Sequence, residues 1–280
     1  MNGLLRLRHL HLPGLTTYLR ASSIQDHLVR IQLNHKKASS SGPAPSPFLL
    51  TFQTPPTYTC GRREVGTLTP DQIDHLKAGG KAEFHEALRG GQTTFHGPGQ
   101  LTAYLIVSLQ AHRLQPRTHI RLLEDSIIAT CATYGLESHT TENPGVWIGQ
   151  EPDDRKLASV GVHLRRYVSS HGIGLNISVD LAWIDRIVAC GLVGKKATNI
   201  ERERSPGSSS LQVLDVASVF ATHVAERLGS VDENVETVTE IDALPETLLP
   251  DYGVASQLGM CGLSDSMDAT TSNKVFRSLA

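Results

Sequence analysis

The 280-residue chain is poor in aromatic side chains, with Phe, Trp and Tyr together at 5%, and carries almost no net charge, −2 with histidine neutral. The first shortage leaves few rings for a base-stacking surface. The second removes the broad basic field of a nucleic-acid binder, so no nucleic-acid partner is expected. No apolar run approaches the roughly 20 residues that cross a bilayer as a helix, and no membrane partner is expected. Cysteine is scarce too: Cys60, Cys131, Cys190 and Cys261 stand far apart, with no C-x-x-C pair and no histidine at zinc spacing. That pattern excludes a disulfide scaffold and a structural zinc site, and it reads as free thiols in a reducing compartment. There is no G-x-S-x-G elbow and no H-E-x-x-H helix. Gly191-Leu192-Val193-Gly194-Lys195-Lys196 has too few residues between its glycines for a phosphate loop. No metal, nucleotide or other cofactor is expected.

What the chain does have is one unusual loop, Arg89-Gly90-Gly91-Gln92-Thr93-Thr94-Phe95-His96-Gly97-Pro98-Gly99-Gln100, placed just before the apolar segment Leu101–Leu109. Its glycines permit close backbone approach. Bare N–H groups beside an arginine make a surface that receives carbonyls or anions. The length suits one sizeable domain.

The N-terminal 40 residues set Arg6, Arg8, Arg20, Arg30, Lys36 and Lys37 against a single acid, Asp26. This balance suits a mitochondrial presequence. Ser23 could equally cap a domain helix carrying Ile24, Leu28 and Ile31 on one face. The reading adopted is a short targeting region merging into the fold. His35–Pro47 is expected to be a disordered insertion. Strands are expected at Phe48–Phe52, Leu101–Leu109 and Gly145–Gly149, and helices after Thr69 or Asp71, from a Thr118 cap to Gly135, and from Leu214 to Leu228. Val160, Val162 and Leu164 alternate with polar residues, as do Leu175, Ile177 and Val179, which predicts a hairpin turning near Ser169-Ser170. The fold class is therefore α/β (α+β), a mixed β-sheet packed with helices. Residues 1–229 form the catalytic domain in this reading, and residues 230–280 an acidic, loosely ordered tail.

Cys190 is flanked by Ala189 and Gly191, so nothing bulky shields its sulfur, and neighbouring N–H groups could face an oxyanion. A small apolar core residue is the competing reading. Cys60 is the reserve nucleophile because Arg62 and Arg63 could favour its thiolate. Cys131 lies on the apolar stripe of its helix, which explains it by burial. Lys156 enters a Gly/Ser-containing strand, where a solvated edge charge is the ordinary outcome; facing a thiol, it would instead favour the thiolate. His96, His163 and His171 are candidate bases or structural hydrogen-bonders.

Taken together, Arg89–Gln100, Gly-Val-Trp-Ile-Gly at 145–149, Arg-Lys-Leu-Ala-Ser-Val-Gly-Val-His at 155–163, His-Gly-Ile-Gly-Leu-Asn at 171–176 and Ala-Cys-Gly at 189–191 resemble the lipoyl(octanoyl) transferase family, in its eukaryotic, fungal mitochondrial form. The resemblance implies the fold of the biotin and lipoate ligase catalytic domains and a mitochondrial matrix location. It implies transfer of an octanoyl group from octanoyl-acyl carrier protein to a lysine of the lipoyl domains of 2-oxoacid dehydrogenase complexes and of the glycine cleavage H protein, by a monomer. It puts the nucleophile on Cys190 and its proton partner on Lys156. It assigns the acyl pocket to Arg89, Gly90, Gly91, Gln92, Thr93, Thr94, Phe95 and His96, to Ser159, Val160 and Gly161, and to Gly172, Ile173 and Gly174. Two departures stand out: Glu151–Asp154 resembles a small insertion ahead of Lys156, and Thr198-Asn199-Ile200 replaces a more usual Thr-Ser-hydrophobic run. Lys195, Lys196, Arg165 and Arg166 are candidate contacts for an acidic carrier. An ATP-dependent ligase and a silent acyl-binding protein are the alternatives on such a fold.

Overall fold

The computed structural model describes residues 6–37, 44–187 and 195–229, and residues 236–238 by their backbone. All belong to Met1–Pro250, the first of two units into which the chain divides; the second is Asp251–Ala280. Cys190 and Cys261 lie outside the described residues, as does most of the acidic tail.

The chain opens with β1 (Arg8–Leu15) and α1 (Tyr18–Lys37), followed by β2 (Phe48–Gln53), β3 (Thr57–Cys60), α2 (Pro70–Lys77), β4 (Glu83–Glu86), β5 (Thr94–His96) and β6 (Gln100–Ile106). Then come α3 (Pro116–Thr133), β7 (Val146–Ile148), β8 (Arg155–Arg165), β9 (Val168–Asn176), a 3-10 turn (Leu181–Arg186), β10 (Lys196–Ala197), α4 (Ile200–Glu203), α5 (Val213–Arg227) and β11 (Glu236–Val238). The main sheet has the order β10-β8-β9-β6-β2-β1-β11, with β7 also on β8, and a smaller sheet has the order β4-β3-β5. Parallel pairs (β1 with β2 and β11, β8 with β10) coexist with the antiparallel run β2-β6-β9-β8, as the mixed-sheet reading requires.

Period-two alternation sorts the core into layers. Leu49, Leu101, Ala103, Leu105, Ile173 and Leu175 face α3 and α5, where Leu123, Ile127, Phe220 and Val224 meet them. Their neighbours Leu50, Phe52, Tyr104 and Ile106 face α1, with Ile24 and Leu28. A third cluster, around Tyr58, Phe95 and Val179, joins the small sheet to the 3-10 turn, where Phe95 and Trp183 stack with centroids 5.7 Å apart.

Several boundaries move. Helix α1 begins at Tyr18 rather than after Ser23, because the Thr17 hydroxyl accepts the Arg20 N–H at 3.4 Å. It runs through Lys37, so His35–Lys37 are helical; residues 38–43 lie outside the described ones. Leu7, Leu10 and Leu12 are buried, so the basic N-terminal stretch is part of the sheet from β1 onward. In α3, Gln115 is the cap and Thr118 sits a turn inside, its hydroxyl accepting the Gln115 N–H at 2.8 Å. The β8–β9 hairpin turns at Arg166-Tyr167, with φ of 50° and 64°, and not at Ser169-Ser170. A two-residue turn of this hand usually takes Asn-Gly; here tertiary contacts hold it, as Leu109 N–H donates to Tyr167 O at 2.8 Å and the Lys36 ammonium lies 5.6 Å from the Tyr167 ring. From the expected tail, Glu236–Val238 add an edge strand beside β1.

Burial also sets the pH response of stability. Desolvation pushes His9 and His171 down to about 3, and His96 and His119 down to about 4. Below the unfolded value near 6.5 the unfolded chain takes up protons that the native chain refuses. Stability therefore falls as pH drops from 6.5 toward those depressed values, by up to about 1.4 kcal/mol per pH unit for each such histidine. The urea midpoint is expected to be lower at about pH 5 than at about pH 7.5, and His119→Leu should shallow that dependence. An unchanged slope in the variant would refute this assignment for His119.

Candidate active site

On the sheet face opposite α3 and α5, the Gly-rich segment and β6, β9 and β8 line a partly open cavity of about 80 Å³. Alternation supplies its floor: Gln100 and Tyr104 from β6, Gly172, Gly174 and Asn176 from β9, and Ser159 and Gly161 from β8. Arg89–His96 form a wall, and Ile184, Ile187 and Ala197 line it from the far side. Every residue that the resemblance assigned to the acyl pocket lines this one cavity, together with Lys156. Gly172 has no alternative, because a Cβ there would stand 2.2 Å from Ala103 O.

The wall holds its shape through Arg89, which is buried. Its guanidinium donates to Thr59 O at 2.5 Å, Thr59 Oγ1 at 2.8 Å, Gly90 O at 3.0 Å and Gln92 O at 2.9 Å. These bonds tie two carbonyls of the loop, Gly90 O and Gln92 O, to Thr59 of β3 through one guanidinium. The Glu64 carboxylate accepts both the N–H and the hydroxyl of Thr93, at 2.6 and 2.7 Å, and pins the other end. A buried chain then runs from His96 Nδ1 to Gln100 Oε1 (2.8 Å), from Gln100 Nε2 to Asn176 Oδ1 (2.9 Å) and from Asn176 Nδ2 to Thr198 O (2.9 Å). Burial and the Arg89 charge keep His96 and His171 neutral, which suits hydrogen bonding and makes neither a cation at neutral pH.

Lys156 is not a solvated edge charge. It is buried, its Nζ donates to Pro144 O at 3.0 Å and lies 5.2 Å from the Trp147 ring centroid. Gly145, with φ of 127°, makes the room: a Cβ there would come within 2.8 Å of Lys156 Cε and 2.5 Å of Ala158 O. The buried Glu124 carboxylate accepts the Gly145 N–H at 2.9 Å and feels the Lys156 charge, so α3 fixes the turn that seats the lysine.

The described residues that flank the Cys190 segment in sequence belong to this site. Ile187 lines the cavity on one flank. On the other, Ala197 pairs with Lys156 in register and Thr198 N–H donates to Lys156 O at 2.9 Å. Lys195 forms an ion pair with the buried Asp154 and donates to Pro152 O at 3.0 Å, so Glu151–Asp154 braces this flank. Thr198 and Ile200 are fully buried on this flank, while Asn199 Oδ1 caps α4 through the Arg202 N–H at 2.8 Å.

The other cysteines separate clearly. Burial pushes the Cys131 thiol up to about 12, as its place on an apolar stripe suggested. Cys60 is buried as well, and desolvation raises it despite Arg89 nearby, which overturns the expectation that Arg62 and Arg63 would favour its thiolate. Tyr104, Ile184, Ile187 and Ala197 line the cavity without having been singled out in the sequence, whereas Asn176 ends the motif at 171–176. Only Asn176, polar inside an alternating apolar strand, carried a readable signal.

Comparison with known proteins places the chain in a family. The model of the lipoyl protein ligase A/B catalytic domain matches residues 21–225. A Schizosaccharomyces pombe protein named "Probable octanoyltransferase" is 45% identical over 188 residues, covering 67% of this chain and 81% of its own length. The human mitochondrial octanoyl-[acyl-carrier-protein]:protein N-octanoyltransferase LIPT2 is 38% identical over 194 residues, covering 68% and 81%. Among solved structures, a bipartite lipoate protein ligase from Thermoplasma acidophilum superposes with a TM-score of 0.61 at 15% identity, covering 84% of this chain and 88% of that one, a likeness of fold. The chain belongs to the lipoyl protein ligase A/B catalytic-domain family.

Proposed function

We propose that this chain, a mitochondrial octanoyltransferase by kinship, transfers the octanoyl group of octanoyl-acyl carrier protein to a lysine of lipoyl domains through a thioester on Cys190. The acceptors are the lipoyl domains of 2-oxoacid dehydrogenase complexes and the glycine cleavage H protein, and the enzyme works as a monomer. The observation that carries this reading is the seating of Lys156 in the wall of the cavity, in register with Ala197, which also lines it.

In the first half-reaction the Cys190 thiol yields its proton to Lys156 and its sulfur attacks the octanoyl carbonyl. The new S–C bond replaces the carrier's S–C bond, and the carrier thiol leaves with the proton that Lys156 returns. In the second, the acceptor's ε-amine forms an N–C bond, the Cys190 thioester breaks, and the amine's proton passes by Lys156 to the sulfur. Thioester exchange is nearly isoenergetic and amide formation is downhill, so no nucleotide is required. Arg89–His96, Ser159–Gly161 and Gly172–Gly174 hold the chain, each buried methylene contributing about 0.8 kcal/mol.

The test is incubation with octanoyl-carrier and an unmodified lipoyl domain in the absence of ATP, read by intact mass. Octanoylated acceptor is expected; strict dependence on ATP would sink the reading in favour of a ligase. Gly145→Ala should slow acyl-enzyme formation by about 10²-fold, because it displaces the Lys156 stem by a fraction of its own width. A full rate in that variant, with unchanged circular dichroism, would count against Lys156 as proton carrier.

A further inference from the structure

In β9 the residues Ile173 and Leu175 point to the helices α3 and α5. A regular strand would send His171 the same way. Its φ is +57°, a left-handed conformation that few side chains adopt and that concentrates at functional sites. The ring lines the cavity instead and meets Tyr104 edge-on, with centroids 5.2 Å apart. Gln25 Oε1 of α1 accepts the His171 backbone N–H at 2.6 Å and holds the reversal in place. The ring's Nδ1 is buried and, among the described residues, has no hydrogen-bond partner.

His171 also lines a second cavity of about 210 Å³ between α1 and the β4–Leu88 segment, and no other described residue lines both. Tyr18, Leu19, Asp26, Glu86 and Leu88 make that space half polar. Within the first cavity, Asn176 opposite Gln100 lies toward Lys156, and Gly172 opposite Tyr104 lies toward His171. Those two rungs are about 14 Å apart along β6, room for an eight-carbon chain laid between them.

We propose that His171 is the end wall of the acyl pocket and sets the upper limit on acyl-chain length by closing the passage into the second cavity. This rests on the reading of the first cavity as the acyl pocket. A neutral imidazole can abut a terminal methyl, whereas a tail pushed past it would meet Asp26 and Glu86 and displace their water. Removing the ring joins the two spaces without disturbing the backbone if the replacement tolerates a left-handed φ. Glycine does so freely, and asparagine does so better than most.

The experiment offers the protein an equimolar mixture of acyl-carrier thioesters from hexanoyl to tetradecanoyl and reads the acyl-enzymes by intact mass. Wild type is expected to load octanoyl and little beyond decanoyl. His171→Gly should raise the dodecanoyl-to-octanoyl ratio at least about tenfold, the worth of a few buried methylenes. His171→Asn should move it the same way by less. Adding Ser22→Leu, which fills the second cavity from α1, should return the glycine variant to the octanoyl profile. An unchanged ratio in a variant that still loads octanoyl overturns the proposal; if glycine prevents folding, an octanoyl-only profile from the asparagine variant does the same. Failure of wild type to load any acyl group would instead overturn the acyl-pocket reading beneath it.

Discussion

A Cys190→Ala chain is expected to take up no octanoyl group when mixed with octanoyl-carrier, and to lower transfer to a lipoyl domain by at least about 10³-fold. The loss is large because the covalent route divides one encounter of two proteins into two separate ones. Without the sulfur, the acceptor amine must meet the carrier thioester directly. Cys60→Ala and Cys131→Ala supply the contrast. Both thiols are buried and both are pushed above the usual thiol range by desolvation, so their removal should leave octanoyl loading intact. Persistent labelling of the Cys190 variant, lost only when Cys60 is also replaced, would move the nucleophile to the small sheet.

Lys156→Met keeps an unbranched stem against Trp147 and removes the charge and the donors to Pro144 O. Positioned proton transfer is worth about 10²–10⁴-fold, and both half-reactions should slow by an amount in that range. The discriminating readout is the pH–rate profile. If Lys156 carries the proton, raising the pH to ionise Cys190 in bulk should recover part of the loading rate in the variant, because the thiolate no longer needs an internal base. A uniform deficit at every pH would reduce Lys156 to packing. Stability should change little, since methionine fills much of the same apolar volume.

The chemistry-bearing residues are legible one at a time. Arg89–Gln100 announces itself by glycine content beside an arginine. The helical stripe alone accounts for Cys131. Cys190 and Lys156 each have a plausible ordinary role, and the resemblance to a family, rather than local pattern, raises them above it. Misreadings fall where distant contacts overrule local preference. Arg166-Tyr167 turn a hairpin with neither Asn nor Gly because Lys36 and Leu109 hold them. Short strands such as β5 and β10 are too brief to show a period at all.

Composition, turn chemistry and periodicity were enough to indicate a mixed sheet with helices, an unusual glycine loop and the burial of Cys131, because each depends on a few consecutive side chains. The end wall at His171, the self-directed bonds of Arg89 and the burial of Lys156 beside Glu124 are decided only in the folded chain. They arise from the register of β6, β9 and β8 and from helices packed over them, and a pairing as distant in sequence as Gln100 with Asn176 is set by the free energy of the whole assembled core rather than by any window of sequence.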